Sequence, residues 1–186
     1  KITGGGNLIL GSESFKNAEL KGNTGDGSSI TYELTGGATM ANTNSNRYFR
    51  WTTVGAYVAK GVTLCLSVMY KPVSGADEFC MEIAYTAGYS TSQSWATIKP
   101  TDQLEIEQTD GWVLRYGLWT PPDNATLKLV DMGSGTTHAG TGNYTNKFSL
   151  LHPMLQYGNA PTAWNASSGD YLTQESAKSL FSQTAD

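Results

Sequence analysis

The sequence predicts an all-β domain folded as a sandwich of two antiparallel sheets. Roughly eight or nine short runs of alternating or β-branched apolar residues recur along the chain, separated by turns rich in Gly, Pro, Asn and Asp. Only 15 % of residues are charged, 11 % are aromatic and 21 are glycine, a mix that suits strands and turns with a polar but weakly ionic surface. Apolar strand-like runs also stand near both ends, at residues 7–10 and 148–155, so the two ends are expected to close one core between them.

In order, residues 1–6 read as the end of a linker, and residues 8–10 as a short strand. Residues 21–29 are a loop by composition, residues 30–34 a half-buried strand, residues 36–46 a second polar loop, and residues 48–54 an aromatic and β-branched strand. The clearest alternation spans residues 62–70. Val62, Leu64, Leu66, Val68 and Tyr70 share one face, and Thr63, Cys65, Ser67 and Met69 the other. After a turn at residues 72–76, Phe79, Met81, Ile83 and Tyr85 oppose Cys80, Glu82 and Ala84.

Residues 86–94 form a polar loop, and Leu104 and Ile106 then alternate with Glu105 and Glu107. Asp110-Gly111 turns the chain into Trp112, Leu114, Tyr116 and Leu118, facing away from Val113, Arg115 and Trp119; Trp119 is expected on the outside. A turn at residues 121–124 leads to a strand marked by Leu127 and Leu129, and residues 133–146 are the longest Gly-rich loop. Beyond the last strand, Pro161 fixes its own φ and holds Ala160 extended, and Trp164 is expected to plug the end of the core. Only residues 174–182 have helical character. The domain organisation is therefore a linker at 1–6, one module at 7–171, and a connector, a short helix or frayed tail, at 172–186.

At 186 residues the chain buries a core without staples. Cys65 and Cys80 lie in strand-like runs with no zinc-type spacing, and the sequence leaves open whether they are bridged. The net charge is −4 and no basic run exists, which disfavours nucleic acid as a partner. No apolar span of about 20 residues suggests membrane insertion. The chain opens on Lys, as a module cut from a longer polypeptide would.

The run Asn7-Leu8-Ile9-Leu10 resembles the "NLL" start of jelly-roll carbohydrate-binding modules. Gly111-Trp112-Val113-Leu114-Arg115-Tyr116 resembles their "GW.RY" strand. Residues 153–164 resemble the "kLE.GN.aT.W" strap found in bacteriophage tail proteins. Together these cover residues 7–171 and imply a non-catalytic, sugar-binding jelly roll of a phage tail or baseplate protein, either a distal tail or a receptor-binding protein. The partners implied are a polysaccharide of the bacterial host surface and other tail or baseplate proteins, and the location implied is the virion. Such modules often place an acidic residue in the last strand near a structural calcium. Residues 148–152 hold no carboxylate and Gln156 stands where the strap usually has Glu, so no cofactor or metal is expected.

Sugar binding needs aromatic faces for the C–H side of a pyranose and planar polar groups for its hydroxyls. In the connectivity the resemblance implies, strands 48–54, 78–86, 94–107 and 126–131 make one sheet whose open face shows Arg50, Glu82 and Lys128. The expected ligand set is Trp95 and Tyr89 for stacking, Glu82 and Arg50 for hydroxyls, and His138 and Tyr144 completing the cleft. A one-residue slip would bring Trp51 to that face instead of Arg50. The alternative for Arg50 and Glu82 is a mere cross-strand ion pair, and Trp112 reads as structural. A glycosidase needs two carboxylates about 5–5.5 Å or about 6.5–9.5 Å apart across a cleft, and no such pair is evident. The alternatives to sugar binding are a ligand-free spacer or oligomerisation domain of the same tail machine, and an accessory module of a secreted polysaccharide-degrading enzyme.

Overall fold

The computed structural model describes residues 6–23, 25–136 and 142–167. Its strands are β1 (Glu19–Asn23), β2 (Ser29–Tyr32), β3 (Ala38–Thr52), β4 (Tyr57–Val58), β5 (Leu64–Gly75), β6 (Phe79–Ala87), β7 (Gln93–Ile98), β8 (Leu104–Glu107), β9 (Val113–Trp119), β10 (Ala125–Ser134) and β11 (Tyr144–Tyr157). Two single-turn 3-10 helices, Phe15–Asn17 and Pro100–Asp102, complete the described elements. The helical expectation for residues 174–182, and the ends of the domain boundaries, lie outside the described residues.

The fold is an all-β jelly-roll sandwich, and all its strand pairs are antiparallel. Layer one runs β7-β6-β10-β3-β1, with β4 paired to β10; layer two runs β8-β9-β5-β11-β3-β2. The long β3 belongs to both. Residues 38–45 pair with β2 and β11, and residues 46–52 with β1 and β10. The expected polar loop at residues 36–46 is thus mostly strand, because partners on both sides satisfy its backbone and override weak local propensity. Residues 72–76, expected as a turn, largely extend β5 for the same reason, since β11 pairs along them. The expected strand 94–107 is two strands, and β8 pairs with β9 in the other layer.

The interior is filled from both layers. Phe49 and Trp51 of β3, Met81 and Ile83 of β6, and Val130 and Met132 of β10 meet Leu66 and Val68 of β5 and Phe148 and Leu150 of β11. Tyr70, Phe79 and Phe148 form an aromatic cluster with centroids 5.1–5.6 Å apart. Trp119 faces inward rather than outward: it packs on the core, 4.6 Å from the Tyr85 ring. Arg115 shares that inner side. It lies 3.9 Å from the Tyr70 ring and reaches Asp77 and Glu105 at the sandwich edge. Cys65 and Cys80 are buried free thiols on different layers, and burial pushes both pKa values up to about 12.

The ends meet as the sequence suggests. Asn7, 1 % exposed, donates through Nδ2 to the Pro153 and Asn165 carbonyls, at 2.9 and 3.0 Å. Its Oδ1 accepts from the Ile9 and Leu155 amides, at 3.1 and 3.2 Å. The Trp164 indole also donates to the Pro153 carbonyl, at 3.0 Å, and stacks on His152 with centroids 4.5 Å apart. Burial lowers the His152 pKa from its ordinary value.

Asn7→Ala strands these buried partners at once and should lower the unfolding free energy by about 3 kcal/mol, read from urea titrations; a loss under about 1 kcal/mol would mean the ends are held elsewhere. The folded protein should also leave both thiols unmodified by a thiol reagent at mildly alkaline pH, and the urea-unfolded chain should titrate two.

Candidate functional site

The candidate site is the outer face of layer one. A single row of side chains crosses its five strands in register: Thr97 of β7, Glu82 of β6, Asp131 of β10, Arg50 of β3 and Glu19 of β1. Alternation puts Met81, Ile83, Val130, Met132, Phe49 and Trp51 on the opposite, buried side. Trp51 is 1 % exposed and packs edge-on against Phe15, so Arg50 and not Trp51 belongs to the outer face.

Arg50 is the centre of the row. Its Nε and Nη2 donate to the two oxygens of Asp131, both at 2.8 Å, a bidentate pair that fixes the guanidinium plane. The hydrogen-bonded Asp131 raises the Arg50 pKa against partial desolvation, with help from the nearby Tyr48 and Glu19. The guanidinium carbon lies 5.7 Å from the Tyr48 ring centroid and 5.6 Å from that of Trp95. Trp95 is half-buried on the edge strand β7, opposite Ala84 of β6, whose small side chain leaves the indole room to lie over the sheet.

Glu82 was expected on an open surface. It is fully buried, and its Oε1 accepts from the Thr136 hydroxyl, because the chain leaving β10 turns back over this part of the sheet. Its neighbour in the row, Asp131, is fully buried as well. Arg50 therefore pairs with Asp131 rather than with Glu82. Tyr144 of β11 is half-buried beyond that end, its ring lying where a Cβ on Gly135 would stand. Burial raises the Tyr144 pKa, with Glu78 and Cys80 adding to it.

At the opposite end, Tyr89 is fully exposed in the turn after β6. It lines a separate hollow with Tyr57, Asp123 and Asn124. His138 lies outside the described residues. The structure thus groups Arg50, Trp95 and Glu82 in one neighbourhood with Tyr144 at its margin, and sets Tyr89 apart.

Asp131, Tyr48, Thr97 and Thr136 were missed from sequence. For Asp131 the reason is a β-bulge at Lys128, where Leu127 and Leu129 of β10 oppose the adjacent residues Tyr85 and Ala84 of β6. The extra residue inverts the alternation, so Leu127 and Val130 both point inward and Asp131 points out. Lys128 itself is exposed at the bulge, where its carbonyl holds the Thr53 amide and hydroxyl at 3.1 and 3.2 Å. The last strand offers the Gln156 carboxamide, already bonded to Thr162, and among the described residues no group of three or more His, Cys, Asp or Glu is placed to hold a metal.

No protein-family model and no curated protein matches the chain. The solved structures that resemble it are carbohydrate-binding modules and phage tailspike or baseplate proteins. The enzymatically active domain of tailspike protein 4 of bacteriophage CBA120 matches with TM-score 0.49 and 11 % identity, over 82 % of this chain and 21 % of that one. The carbohydrate-binding and catalytic modules of xylanase 10B from Clostridium thermocellum, complexed with xylohexaose, match with TM-score 0.49 and 15 % identity, over 82 % and 28 %. The baseplate tripod of bacteriophage Tuc2009 matches with TM-score 0.43 and 12 % identity, over 89 % and 59 %. This chain therefore spans about a fifth of the tailspike domain and 28 % of the xylanase fragment. At these similarities the likenesses assign no function to it.

The two halves of the central ion pair differ in access to water, since the Arg50 side chain is 21 % exposed and Asp131 is not exposed at all. Arg50→Ala removes the guanidinium from a buried carboxylate and should cost about 3–5 kcal/mol. Asp131→Ala leaves a cation that can swing into solvent and should cost at least about 1 kcal/mol less. Urea midpoints of both variants check the order, and equal losses would refute the asymmetry.

Proposed function

We propose that this domain binds carbohydrate without cleaving it, and that its ligand is an envelope or cell-wall polysaccharide met during phage adsorption. The observation supporting this most is the placement of Arg50: a planar cation locked by Asp131 and flanked by the Tyr48 and Trp95 rings. An aromatic ring beside a fixed planar donor is the pairing that a pyranose asks for. The C–H face stacks on the ring and adjacent hydroxyls accept from the guanidinium. Because Asp131 already holds the guanidinium, little side-chain freedom is lost on binding. In this reading Trp95 and Arg50 make the principal contacts, Tyr144 belongs to the rim, and Glu82 supports the platform from beneath through Thr136. Weak binding per site would be raised by display of several copies on the virion.

A second reading has its own support. With Glu82 and Asp131 fully covered, part of this face is occupied by the chain itself, as in a spacer or oligomerisation domain that takes no ligand.

A fluorescently tagged domain applied to bacterial cells, and to an array of envelope polysaccharides with xylohexaose as a neutral probe, separates the two. Binding should appear and should fall about tenfold or more in Trp95→Ala with its circular dichroism unchanged. Absence of binding to every probe would favour the spacer.

A further inference from the structure

We propose a second glycan site, specific for a sugar that carries a carboxylate, on the outer face of layer two. It shares no residue with the Arg50 platform and stands or falls separately from it. Strand register builds a row across this face: Thr31 of β2, Thr39 of β3, Ser149 of β11 and Lys71 of β5. The Thr39 and Ser149 hydroxyls are 2.6 Å apart. Lys147, two residues before Ser149 on the same side of β11, adds a second ammonium.

Trp112 stands at the Lys71 end of the row. It is placed there by the β8–β9 hairpin, where its carbonyl accepts from the Gln108 amide at 3.0 Å and its amide donates to the Thr109 carbonyl at 3.2 Å. The Lys71 stem lies against the same hairpin, its Cε 3.4 Å from where a Cβ on Gly111 would be. Thr39, Ser149, Lys71, Lys147 and Trp112, with Glu33 at the far rim, line a hollow of ≈ 370 Å³, room for a single sugar ring.

The chemistry of the lining selects the ligand. The protein carries a net charge of −4, yet this hollow gathers two lysines against one glutamate. Among the described residues neither lysine lies within ion-pair distance of a carboxylate. The Trp112 indole offers a face to the C–H side of a pyranose, the ammonium pair takes an anion, and the Thr39–Ser149 hydroxyls and Glu33 take ring hydroxyls. A neutral sugar leaves the lysines unused, and a bare anion leaves the indole unused. A uronate uses both.

Titration of trigalacturonate into the domain at low salt, followed by tryptophan fluorescence, tests this. Saturable binding is expected, weakened about tenfold or more by the double substitution Lys71→Gln with Lys147→Gln, by Trp112→Ala, and by methyl esterification of the ligand. Trp95→Ala should leave it unchanged. No saturable binding to the wild type, equal affinity for the esterified trimer, or full affinity in the folded double variant overturns the proposal. So does loss of binding in Trp95→Ala, which would move the ligand to the other layer. Inorganic phosphate competing as well as trigalacturonate would reveal a simple anion site and overturn the sugar assignment.

Discussion

The sandwich depends on one strand changing layers without abandoning buried polar groups. β3 makes that passage between Asn42 and Arg47, and both side chains are nearly sealed from solvent. Arg47 donates to the Asn42 side chain at 3.2 Å and to the Ser29 and Ala41 carbonyls at 2.9 and 3.0 Å. Asn42 donates to Asn146 at 2.9 Å, and Asn146 donates to Ser134 at 2.9 Å and to the Ala76 carbonyl at 3.3 Å. The result ties β2, β3, β10 and β11 through hydrogen bonds rather than apolar contact. Desolvation lowers the Arg47 pKa, and among the described residues no carboxylate pairs with it. Its charge is carried by carbonyl dipoles and amides. Such a network stabilises only while complete, since each orphaned member bears its full desolvation cost.

The same passage decides which side chains reach the two outer faces. Tyr144 and Asn146, two steps apart on β11, oppose Ser45 and Asn42, three steps apart on β3. The extra residue is accommodated near Asn44, whose φ of 46° is left-handed, a conformation that Asn tolerates better than most residues. Before the bulge Met40 points inward and Thr39 outward; after it Phe49 and Trp51 point inward, and Tyr48 and Arg50 outward. Without that insertion Trp51 would stand on the surface and Arg50 in the core. The third irregularity, near His152 with φ 58°, does the same for β11. It also lies beside Pro153, whose ring carries no N–H and whose carbonyl takes both Asn7 and Trp164. Three of the four single-residue insertions among the described residues, all but the one at Val73 of β5, thus set which side chains face outward and how the ends close.

These insertions mark where the sequence stops being legible. Alternation identified the core faces of β5 and β6, where Leu64, Leu66, Val68 and Tyr70, and Phe79, Met81, Ile83 and Tyr85, are all buried, while Val62, expected with them, is exposed before β5 begins. Arg50 and Glu82, expected together on an open face, share a row, but Glu82 is buried in it. Asp131 was invisible because a strand phased from Leu127 and Leu129 puts it on the wrong side until Lys128 is recognised as a bulge, and Lys carries no mark of that role. The polar run at residues 36–46 looked like a loop because its Asn and Ser side chains serve long-range partners, such as Asn146 and the Gly25 amide, that no local window contains. Trp119 turned inward because β9 sets Arg115 and Gly117 on the core side, and Arg115 is tolerated there by the Tyr70 ring and two carboxylates at the edge.

Under the proposed function the adjacent carboxylates of layer one serve a platform and not a cleaving site. Glu82 and Asp131 oppose each other on neighbouring strands, a closeness that retaining glycosidases use at separations of about 5–5.5 Å. A general acid or nucleophile must meet its substrate, and neither of these side chains has solvent access. Asp131 has both of its carboxylate oxygens taken by Arg50. Glu82 is held by Thr136 from the chain that covers it. The pair therefore acts mechanically under the proposed function. Asp131, buried beneath the surface, anchors one guanidinium between two rings with Glu82 beside it in the row, and the stiffness of that anchor lets a polar face in a chain of few charges present a fixed donor to a hydrated ligand.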